Sequence, residues 1–243
     1  MDLAMNEIFG PTPQGEGPTQ GEPAVFARLA GCNLACGWCD SPYAWNWLHT
    51  KSMHPDKHDP AVEIRRMSVA EVVHQIRARG RRKAKRLVIT GGEPLLQQKN
   101  LVFLTSRLQA LGWRIEVETS GTIMPSEILL ATVDQFNCSP KLSNSGSDNP
   151  KSKRIIPDVL RFLGTCPKAN FKFVIETVKC AKEAMDLAAE FHLPLDRICF
   201  MPQARTKIEH AQLGPEVAML ARCHMVFYTS RQQVELHDDQ RAV

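Results

Sequence analysis

Short apolar segments alternate with segments of mixed polarity along most of the chain. The apolar segments have the length of buried strands, and residues 86–90, with the sequence RLVIT, are typical. The mixed segments fit helices, and one helix start is well marked because Ser68 and Glu71 have the spacing of a capping box. The pattern predicts strands over 24–30, 86–90, 113–118, 134–138, 171–176, 197–201 and 225–228. It predicts helices over 69–78, 99–111, 126–131, 153–163, 181–191 and 215–222.

This alternation predicts the fold class. Strands separated by helices of about 8–15 residues pair in parallel through right-handed crossovers. About six strand–helix units are fewer than the eight that close a barrel. We therefore expect an α/β fold, an incomplete (β/α)6-type open barrel of parallel strands, with ligands over the carboxyl ends of the strands.

Two segments interrupt the alternation. Residues 49–66 carry three histidines and two prolines and are predicted to be an inserted loop, since the irregular histidine spacing in a polar segment favours a loop over a metal site. Residues 143–153 are polar and rich in turn formers, which fits a loop that is mobile or covers a site. Neither segment is a linker, so residues 1–243 are predicted to form one domain.

Composition and charge argue against a membrane protein and against a nucleic-acid role. Hydrophobic residues make up 43% of the chain and charged residues 23%, and no apolar run approaches the ~18 residues of a membrane span. The net charge is +4, and the basic run 77–86 follows a predicted helix. We interpret that run as a solvated helix end rather than a nucleic-acid patch, because no aromatic residues are interleaved to stack on bases.

Three cysteines close together point to chemistry. Cys32, Cys36 and Cys39 have C-x3-C-x2-C spacing, which suits three corners of a [4Fe–4S] cluster and leaves the fourth iron open to a small molecule. The alternatives are free thiols or a zinc site completed by Cys138 or a histidine, although zinc prefers separated ligand pairs. We therefore add an N-terminal cluster-binding loop to the predicted fold.

The remaining cysteines indicate the compartment. They are scattered through apolar or mixed segments, as reduced structural thiols are, and residues 1–6 have no apolar leader pattern. We expect a cytoplasmic protein.

The cysteine loop with Trp38, followed by Gly91-Gly92-Glu93-Pro94 after a predicted strand, resembles the radical S-adenosylmethionine (SAM) superfamily. The resemblance implies that SAM chelates the open iron and that one electron cleaves its S–C5′ bond, giving a 5′-deoxyadenosyl radical. The glycines of this turn allow close backbone approach, and Glu93 is an acceptor for the amino group of the ligand.

Motifs over most of the chain resemble one family of this superfamily, the 7-carboxy-7-deazaguanine synthases. They include 6–9 (NEIF), 14–17 (QGEG), 118–121 (ETSG), 139–141 (SPK), 171–174 (FKFV) and 201–203 (MPQ). The resemblance implies a lyase that converts 6-carboxy-5,6,7,8-tetrahydropterin to 7-carboxy-7-deazaguanine with loss of ammonia, in queuosine-type biosynthesis. It also implies a homodimer, and the superfamily implies a reductant such as flavodoxin.

The resemblance assigns roles to individual residues. The cluster ligands are Cys32, Cys36 and Cys39. The SAM contacts are Trp38, Cys39, Asp40, Gly92, Glu93, Glu118, Ser120, Ser139, Pro140, Lys141, Lys172, Met201, Pro202, Gln203 and Ala204. The substrate contacts are Pro13, Gln14, Gly15, Glu16, Arg28, Thr90 and Val243. Gln14 and Glu16 match the donor and acceptor edge of a pterin, and the Arg28 fork suits a carboxylate.

Two further points concern Ser41 and the C-terminus. Ser41 matches a Mg2+-binding serine or threonine of the family, whereas the residues Asp40-Ser41-Pro42 alone favour an N-cap or turn serine. Related chains end in a pattern with histidine where Gln233 stands and glycine where Ala242 stands. The contact of the terminal carboxylate with the pterin is therefore in doubt.

Two other functions remain open. A glycyl-radical-enzyme activase has a similar cysteine loop, although QGEG and Arg28 favour a small anionic heterocycle. A non-catalytic iron–sulfur RNA-binding protein would use the basic run, but it would leave the GGEP and QGEG motifs unexplained.

Overall fold

The computed structural model describes residues 1–80 and 84–242. Their strands form one sheet in the order β3-β1-β2-β4-β5-β6-β7-β8-β9. The strands are β1 Asp2–Pro13, β2 Pro23–Leu29, β3 Arg65–Ser68, β4 Arg86–Gly91, β5 Arg114–Thr119, β6 Gln135–Cys138, β7 Ala169–Ile175, β8 Ile198–Pro202 and β9 Phe227–Tyr228. Within the described residues β3 and β9 are the two edges and do not pair, so the sheet is unclosed.

The helices lie between the strands and after the last one. They are α1 Pro60–Glu63, α2 Val69–Gly80, α3 Gln98–Ala110, α4 Glu127–Thr132, α5 Lys151–Arg154, α6 Pro157–Thr165, α7 Val178–Glu190, α8 Lys207–Cys223 and α9 Gln232–His237. The predicted capping box is present, since Glu71 N–H donates to Ser68 Oγ and Ser68 N–H donates to the Glu71 carboxylate. None of the described helices has the length and hydropathy needed to cross a bilayer.

The parallel part of the sheet runs from β2 to β9, and the predicted α/β open barrel is confirmed. Register brings functional positions side by side at the carboxyl ends: Arg28 pairs with Thr90, and Glu118 pairs with Asn137. Beneath them the helices cover a core of buried apolar side chains, including Phe136, Phe171 and Phe200. Burying such side chains supplies most of the free energy that holds the sheet and helices together.

The sequence pattern missed the first strand. β1 pairs antiparallel with β2 and β3, and it contains register shifts between Met5 and Glu7 and between Phe9 and Thr12. Gly10, Pro11 and Pro13 make this segment resemble a loop locally, because proline lacks the donor that a central strand needs. The pairing partners, which lie far along the chain, decide its structure.

Several predicted boundaries were wrong for identifiable reasons. Pro215 lies inside α8 rather than at its start, because the helix begins after Thr206, which forms a capping box with Glu209. The predicted helix 153–163 is two helices, since Pro157 holds Ile156 in an extended conformation between α5 and α6. The last strand is only two residues long, and α9 was not predicted.

The two interrupting segments and the basic run also differ from simple loops. Residues 49–66 contain α1 and the beginning of β3, and residues 143–153 contain part of α5. The basic run includes 81–83, which lie outside the described residues. Its last member, Arg86, is buried at the start of β4, where it pairs with Glu22 and Glu116. That pairing contradicts a solvated role for Arg86.

Candidate active site

A cavity of about 500 Å³ lies over the carboxyl ends of the parallel strands. Most of the predicted site residues line it. These are Pro13, Gln14, Gly15, Glu16, Arg28, Cys32, Cys36, Trp38, Cys39, Asp40, Ser41, Thr90, Gly92, Glu118, Ser120, Ser139, Lys141, Lys172, Met201 and Gln203. The cavity therefore unites the cysteine loop, the turn after β4 and the QGEG motif in one site.

Four of the predicted contacts that the structure describes are not brought to the cavity wall. Glu93, Pro140, Pro202 and Ala204 are absent from the described lining, and Val243 lies outside the described residues. Ala204 instead offers its carbonyl oxygen to Arg231.

The three thiols of the cysteine loop face the cavity, and they are the only cysteines among its described lining residues. Cys138 and Cys199 are buried elsewhere. Burial raises the pKa of Cys36 to about 11 and also raises the pKa of Cys32 and Cys39, so these side chains are protonated thiols until a metal replaces the protons. Among residues 1–80 and 84–242, no three His, Cys, Asp or Glu side chains converge on a single-ion site.

This donor set fits a cluster better than zinc. Three thiols face a common cavity without convergence on one point, and the described wall holds no fourth cysteine. A cubane cluster bound by three protein thiolates needs three thiols around a common space, each for a different iron. Structural zinc needs four ligands around one ion.

The turn after β4 rests directly on the cysteine loop. Gly92 N–H donates to Leu29 O at 3.2 Å, and Glu93 N–H donates to Gly31 O at 2.9 Å. A Cβ on Gly92 would overlap the Gly31 carbonyl and lie 2.8 Å from Cys32 Cβ. Glycine is needed here because the backbone of the turn and the cysteine loop touch.

Glu93 holds this turn against β5. Its carboxylate accepts hydrogen bonds from Ser120 Oγ at 2.6 Å, Ser120 N–H at 2.7 Å and Thr119 Oγ1 at 2.9 Å. Leu95 N–H donates to it as well, at 3.1 Å. With 1% of its surface exposed and these donors in place, Glu93 positions the turn.

Glu16 lies at the centre of a charged network in the wall of the cavity. It pairs with Lys172, and it accepts hydrogen bonds from Arg231 Nε at 3.0 Å and Gln233 Nε2 at 2.6 Å. Burial alone would raise the pKa of the Glu16 carboxyl, but the charges of Lys172 and Arg231 outweigh it and hold that pKa well below its usual range. Glu16 is therefore a fixed anion flanked by two cations.

Arg28 is held beside this network with its cation turned toward aromatic rings. Its Nε donates to Glu7 Oε1 at 2.8 Å, and its guanidinium carbon lies 5.7 Å from the ring centres of Phe9 and Tyr43. Burial disfavours the charge, yet Tyr43 and Glu7 favour it, and the pKa of Arg28 is raised. The site keeps a permanent cation suited to an anionic ligand.

Polar groups at three strand ends form a second set. Thr90 Oγ1 donates to Glu118 Oε2 at 2.7 Å, and Gln14 Nε2 approaches Glu118 Oε1 at 3.4 Å. Glu118 is only partly buried and lines the cavity. Its predicted contact is with SAM, yet here it bonds to two residues predicted to contact the substrate.

Sequence reasoning missed the residues that the chain brings in from far away. Tyr43, Arg205, Arg231 and Arg241 all line the cavity. Arg231 bonds to Glu16 and Asp40, and Arg241 stacks 3.9 Å from the Tyr43 ring centre. Gln233, noted in the sequence only as a departure from the family pattern, bonds to Glu16. The missing signal was long-range contact, such as the pairing of the buried Arg231 with Glu16, and local pattern does not show it.

Polar atoms in the wall are left without partners among the described residues. Trp38 Nε1, His58 Nε2 and Gln233 Oε1 are buried and accept or donate no hydrogen bond there. Buried polar atoms are normally satisfied, so these three mark places where a ligand or water completes the site.

Comparisons with known proteins agree with this geometry. A family model described as the radical SAM superfamily matches residues 28–202. A 7-carboxy-7-deazaguanine synthase of Pyrobaculum aerophilum is 38% identical over 207 residues, covering 85% of this chain and 82% of the relative. That of Halobacterium salinarum is 34% identical over 256 residues, covering 98% of this chain and 91% of the relative.

A solved structure shows the same fold. The crystal structure of QueE from Escherichia coli superposes with a TM-score of 0.69 at 25% identity, covering 96% of this chain and 95% of that chain. The match of the family model to most of the sheet, together with the coverage of the relatives, shows the family. This chain belongs to the radical SAM superfamily and, within it, to the 7-carboxy-7-deazaguanine synthase family.

Proposed function

We propose that this chain is a radical SAM lyase that converts 6-carboxy-5,6,7,8-tetrahydropterin to 7-carboxy-7-deazaguanine and ammonia in queuosine-type biosynthesis. The observation that carries the proposal is one cavity lined both by three cysteine thiols and by Glu16, which lies between two cations. The thiols suit a cluster with an open iron, and the charged residues suit a polar, anionic heterocycle.

The cysteine wall is where the cofactors belong. Membership of the superfamily implies a [4Fe–4S] cluster and SAM. When bound, they supply a carbon radical that abstracts a hydrogen atom from the substrate. The residues proposed to hold SAM surround the thiols, and Gly92, Ser120 and Ser139 present backbone or hydroxyl groups to the cavity.

The residues around Glu16 and Arg28 are proposed to bind and orient the pterin. The Arg28 cation attracts the 6-carboxylate, which shares this cation with Glu7. Gln14 and Glu16 offer amide and carboxylate groups to the pyrimidine edge, and the orphaned Gln233 Oε1 adds an acceptor. Buried and ion-paired, these groups hold their orientation before substrate arrives, which lowers the entropic cost of binding.

Mg2+ is proposed to bind at Ser41. The Ser41 hydroxyl lines the cavity beside Asp40, with 3.3 Å between Ser41 Oγ and Asp40 Oδ1. Hydroxyl and carboxylate oxygens are ligands that a hard cation accepts, and water and substrate oxygens would complete its shell. Ser41→Ala is expected to weaken the stimulation of product formation by Mg2+, measured as the half-saturating Mg2+ concentration.

The wider setting follows from the family and stays part of the proposal. We infer a single domain over residues 1–243, a homodimer, a cytoplasmic location and a low-potential reductant such as flavodoxin. No described helix is able to span a membrane, which agrees with that location.

An anaerobic assay tests the reaction. Reconstituted protein is incubated with 6-carboxytetrahydropterin, SAM, dithionite and Mg2+, and product is identified by mass spectrometry. We expect 7-carboxy-7-deazaguanine from the native chain and none from Cys36→Ala, which removes one thiol of the cysteine wall. Formation of 5′-deoxyadenosine without that product would contradict the substrate, and a glycyl-radical activase would then be tested with partner proteins.

A further inference from the structure

Each sulfur of the cysteine loop accepts a hydrogen bond from an N–H group, and Cys39 Sγ also lies 3.8 Å from Ser41 Oγ. Leu34 N–H donates to Cys32 Sγ at 3.4 Å, and Asn149 Nδ2 donates to Cys36 Sγ at 3.4 Å. Trp45 Nε1 donates to Cys39 Sγ at 3.2 Å. The first donor is local backbone, whereas the other two are side chains outside the cysteine motif. No role was expected for Trp45 or Asn149 from the sequence.

Trp45 is fixed in its donating position. It is 5% exposed, and its ring meets the His54 ring edge-on with 6.0 Å between the ring centres. His54 Nε2 lies 3.0 Å from Cys39 O, so the same histidine contacts both the donor ring and the acceptor residue. His54, from the predicted inserted loop, thus supports the Trp45–Cys39 hydrogen bond.

Asn149 is fixed from the other side. It is 2% exposed, and its Oδ1 accepts from Ala35 N–H at 2.8 Å while its Nδ2 faces Cys36. Gly37 N–H donates to Ser145 O at 3.0 Å, which ties the same loop to the cysteine loop a second time. The polar segment 143–153 is therefore a clasp on the cysteine loop, and Asn149 is its central contact.

We infer that Trp45 and Asn149 are positioning residues that orient Cys39 and Cys36 and raise the reduction potential of the cluster bound there. This inference rests on the proposed cluster site. An N–H dipole aimed at a thiolate stabilises negative charge on sulfur. Reduction adds one electron from an external low-potential donor and makes the core and its thiolates more negative, so the hydrogen bonds stabilise the reduced form more than the oxidised form.

The surroundings of the two sulfurs favour the same direction. Trp45 and Asn149 are both buried, so their N–H groups are shielded from water. An N–H dipole acts more strongly on a nearby sulfur when water is excluded.

A redox titration monitored by electron paramagnetic resonance tests the inference on reconstituted protein without SAM or pterin. Trp45→Phe keeps an aromatic ring at this position and removes the pyrrole part of the indole together with its N–H. We expect its ratio of reduced to oxidised cluster at the native midpoint to fall about three- to tenfold, tenfold being about 59 mV for one electron. Asn149→Asp keeps the acceptor for Ala35 but turns an anionic oxygen toward Cys36. We expect it to lower the ratio of reduced to oxidised cluster more than Trp45→Phe does.

Matched controls separate this effect from a general disturbance. Trp47→Phe makes the same change two positions away, and Asn144→Asp adds the same charge within the same clasp, where Asn144 Nδ2 contacts Val174 O at 3.5 Å. In both controls, the ratio of reduced to oxidised cluster at the native midpoint potential is expected to stay within twofold of the native ratio. Unchanged midpoints in Trp45→Phe and Asn149→Asp, or equal shifts in the controls, would overturn the inference.

The experiment also separates this inference from the proposed function. A native protein that binds the cubane but makes no 7-carboxy-7-deazaguanine would contradict the reaction and leave the comparison of midpoints valid. A native protein that takes up no cubane would overturn both.

Discussion

Arg231 Nε donates to Glu16 Oε1 across 3.0 Å, joining residues 215 positions apart in the chain. Arg231 also pairs with Asp40, at the end of the cysteine loop, and its side chain is almost completely buried. One guanidinium therefore ties together the loop after β1, the cysteine loop and the segment before α9. Without it, the Glu16 and Asp40 carboxylates repel each other, and this repulsion works against the low pKa of Asp40.

Replacing Arg231 is expected to destabilise the fold strongly. Arg231→Met keeps much of the volume but takes the shared cation away from the largely buried Glu16 carboxylate and the partly exposed Asp40 carboxylate, which costs about 3 kcal/mol of unfolding free energy. Urea denaturation of the apoprotein measures the loss. Arg161→Met breaks an exposed ion pair with Asp158 and is expected to change the unfolding free energy by less than about 0.5 kcal/mol. Equal effects of the two substitutions would contradict the network.

Acid is expected to destabilise the protein through Glu16. The carboxyl has a lower pKa in the folded state than its ordinary value of 4.5, so the unfolded chain binds more protons as the pH falls. The stabilisation is complete above that value and declines as the pH drops below it. The unfolding free energy of the apoprotein is measured by urea denaturation between pH 7 and pH 3.5. Below pH 4.5 we expect it to fall less steeply with decreasing pH in Glu16→Gln than in the native chain. The exposed-residue control Glu127→Gln is expected to keep the native slope.

Adding one methyl group at Gly92 is expected to separate the turn from the cysteine loop. The new Cβ would overlap the Gly31 carbonyl and lie 2.8 Å from Cys32 Cβ. Neither the backbone carbonyl nor the Cβ atom can rotate away, so the turn and the cysteine loop would have to move apart. We expect Gly92→Ala to lower the iron bound after reconstitution, measured by iron and sulfide analysis. Gly37→Ala, whose Cβ would meet only Ser145 O at 3.9 Å, is expected to bind iron normally.

Releasing the C-terminal segment is expected to weaken substrate binding. Arg241 donates to Glu7 Oε2 at 3.0 Å and Glu63 Oε2 at 2.8 Å while it lies over Tyr43, and residues 238–242 thereby line the mouth of the cavity. Arg241→Ala is expected to raise the Michaelis constant for the pterin severalfold. The cost in stability is about 1 kcal/mol or less because Arg241 is partly exposed. Arg65→Ala, an exposed arginine on neighbouring β3, serves as the control.

Local pattern predicted most of the parallel strands because their apolar residues are buried whatever their distant partners are. Leu87, Val88 and Ile89 of β4, for example, are all buried. The cysteine and GGEP motifs also predicted the cavity, since residues just after parallel strands meet at one end of the sheet. QGEG joins them although it follows the antiparallel strand β1. Glu93 shows the limit: a carboxylate after a strand suits a ligand or a protein donor equally, and here Thr119 and Ser120 occupy it.

Residues whose roles depend on long-range contacts could not be predicted. Arg86 lies in a run of exposed-looking cations but pairs with Glu116 inside the sheet, and Asn149 lies in a polar loop but bonds to Cys36. Nothing in the neighbouring sequence separates these residues from solvated ones. Their partners are brought close only by the finished topology.

The contact between Gly92 and Cys32 has a mechanical consequence. The turn after β4 packs against the first cysteine with no space between them. Glu93 holds the turn at the end of β5 by accepting a hydrogen bond from Ser120 N–H. Any shift of the turn would therefore be passed directly to Cys32 through a single backbone contact.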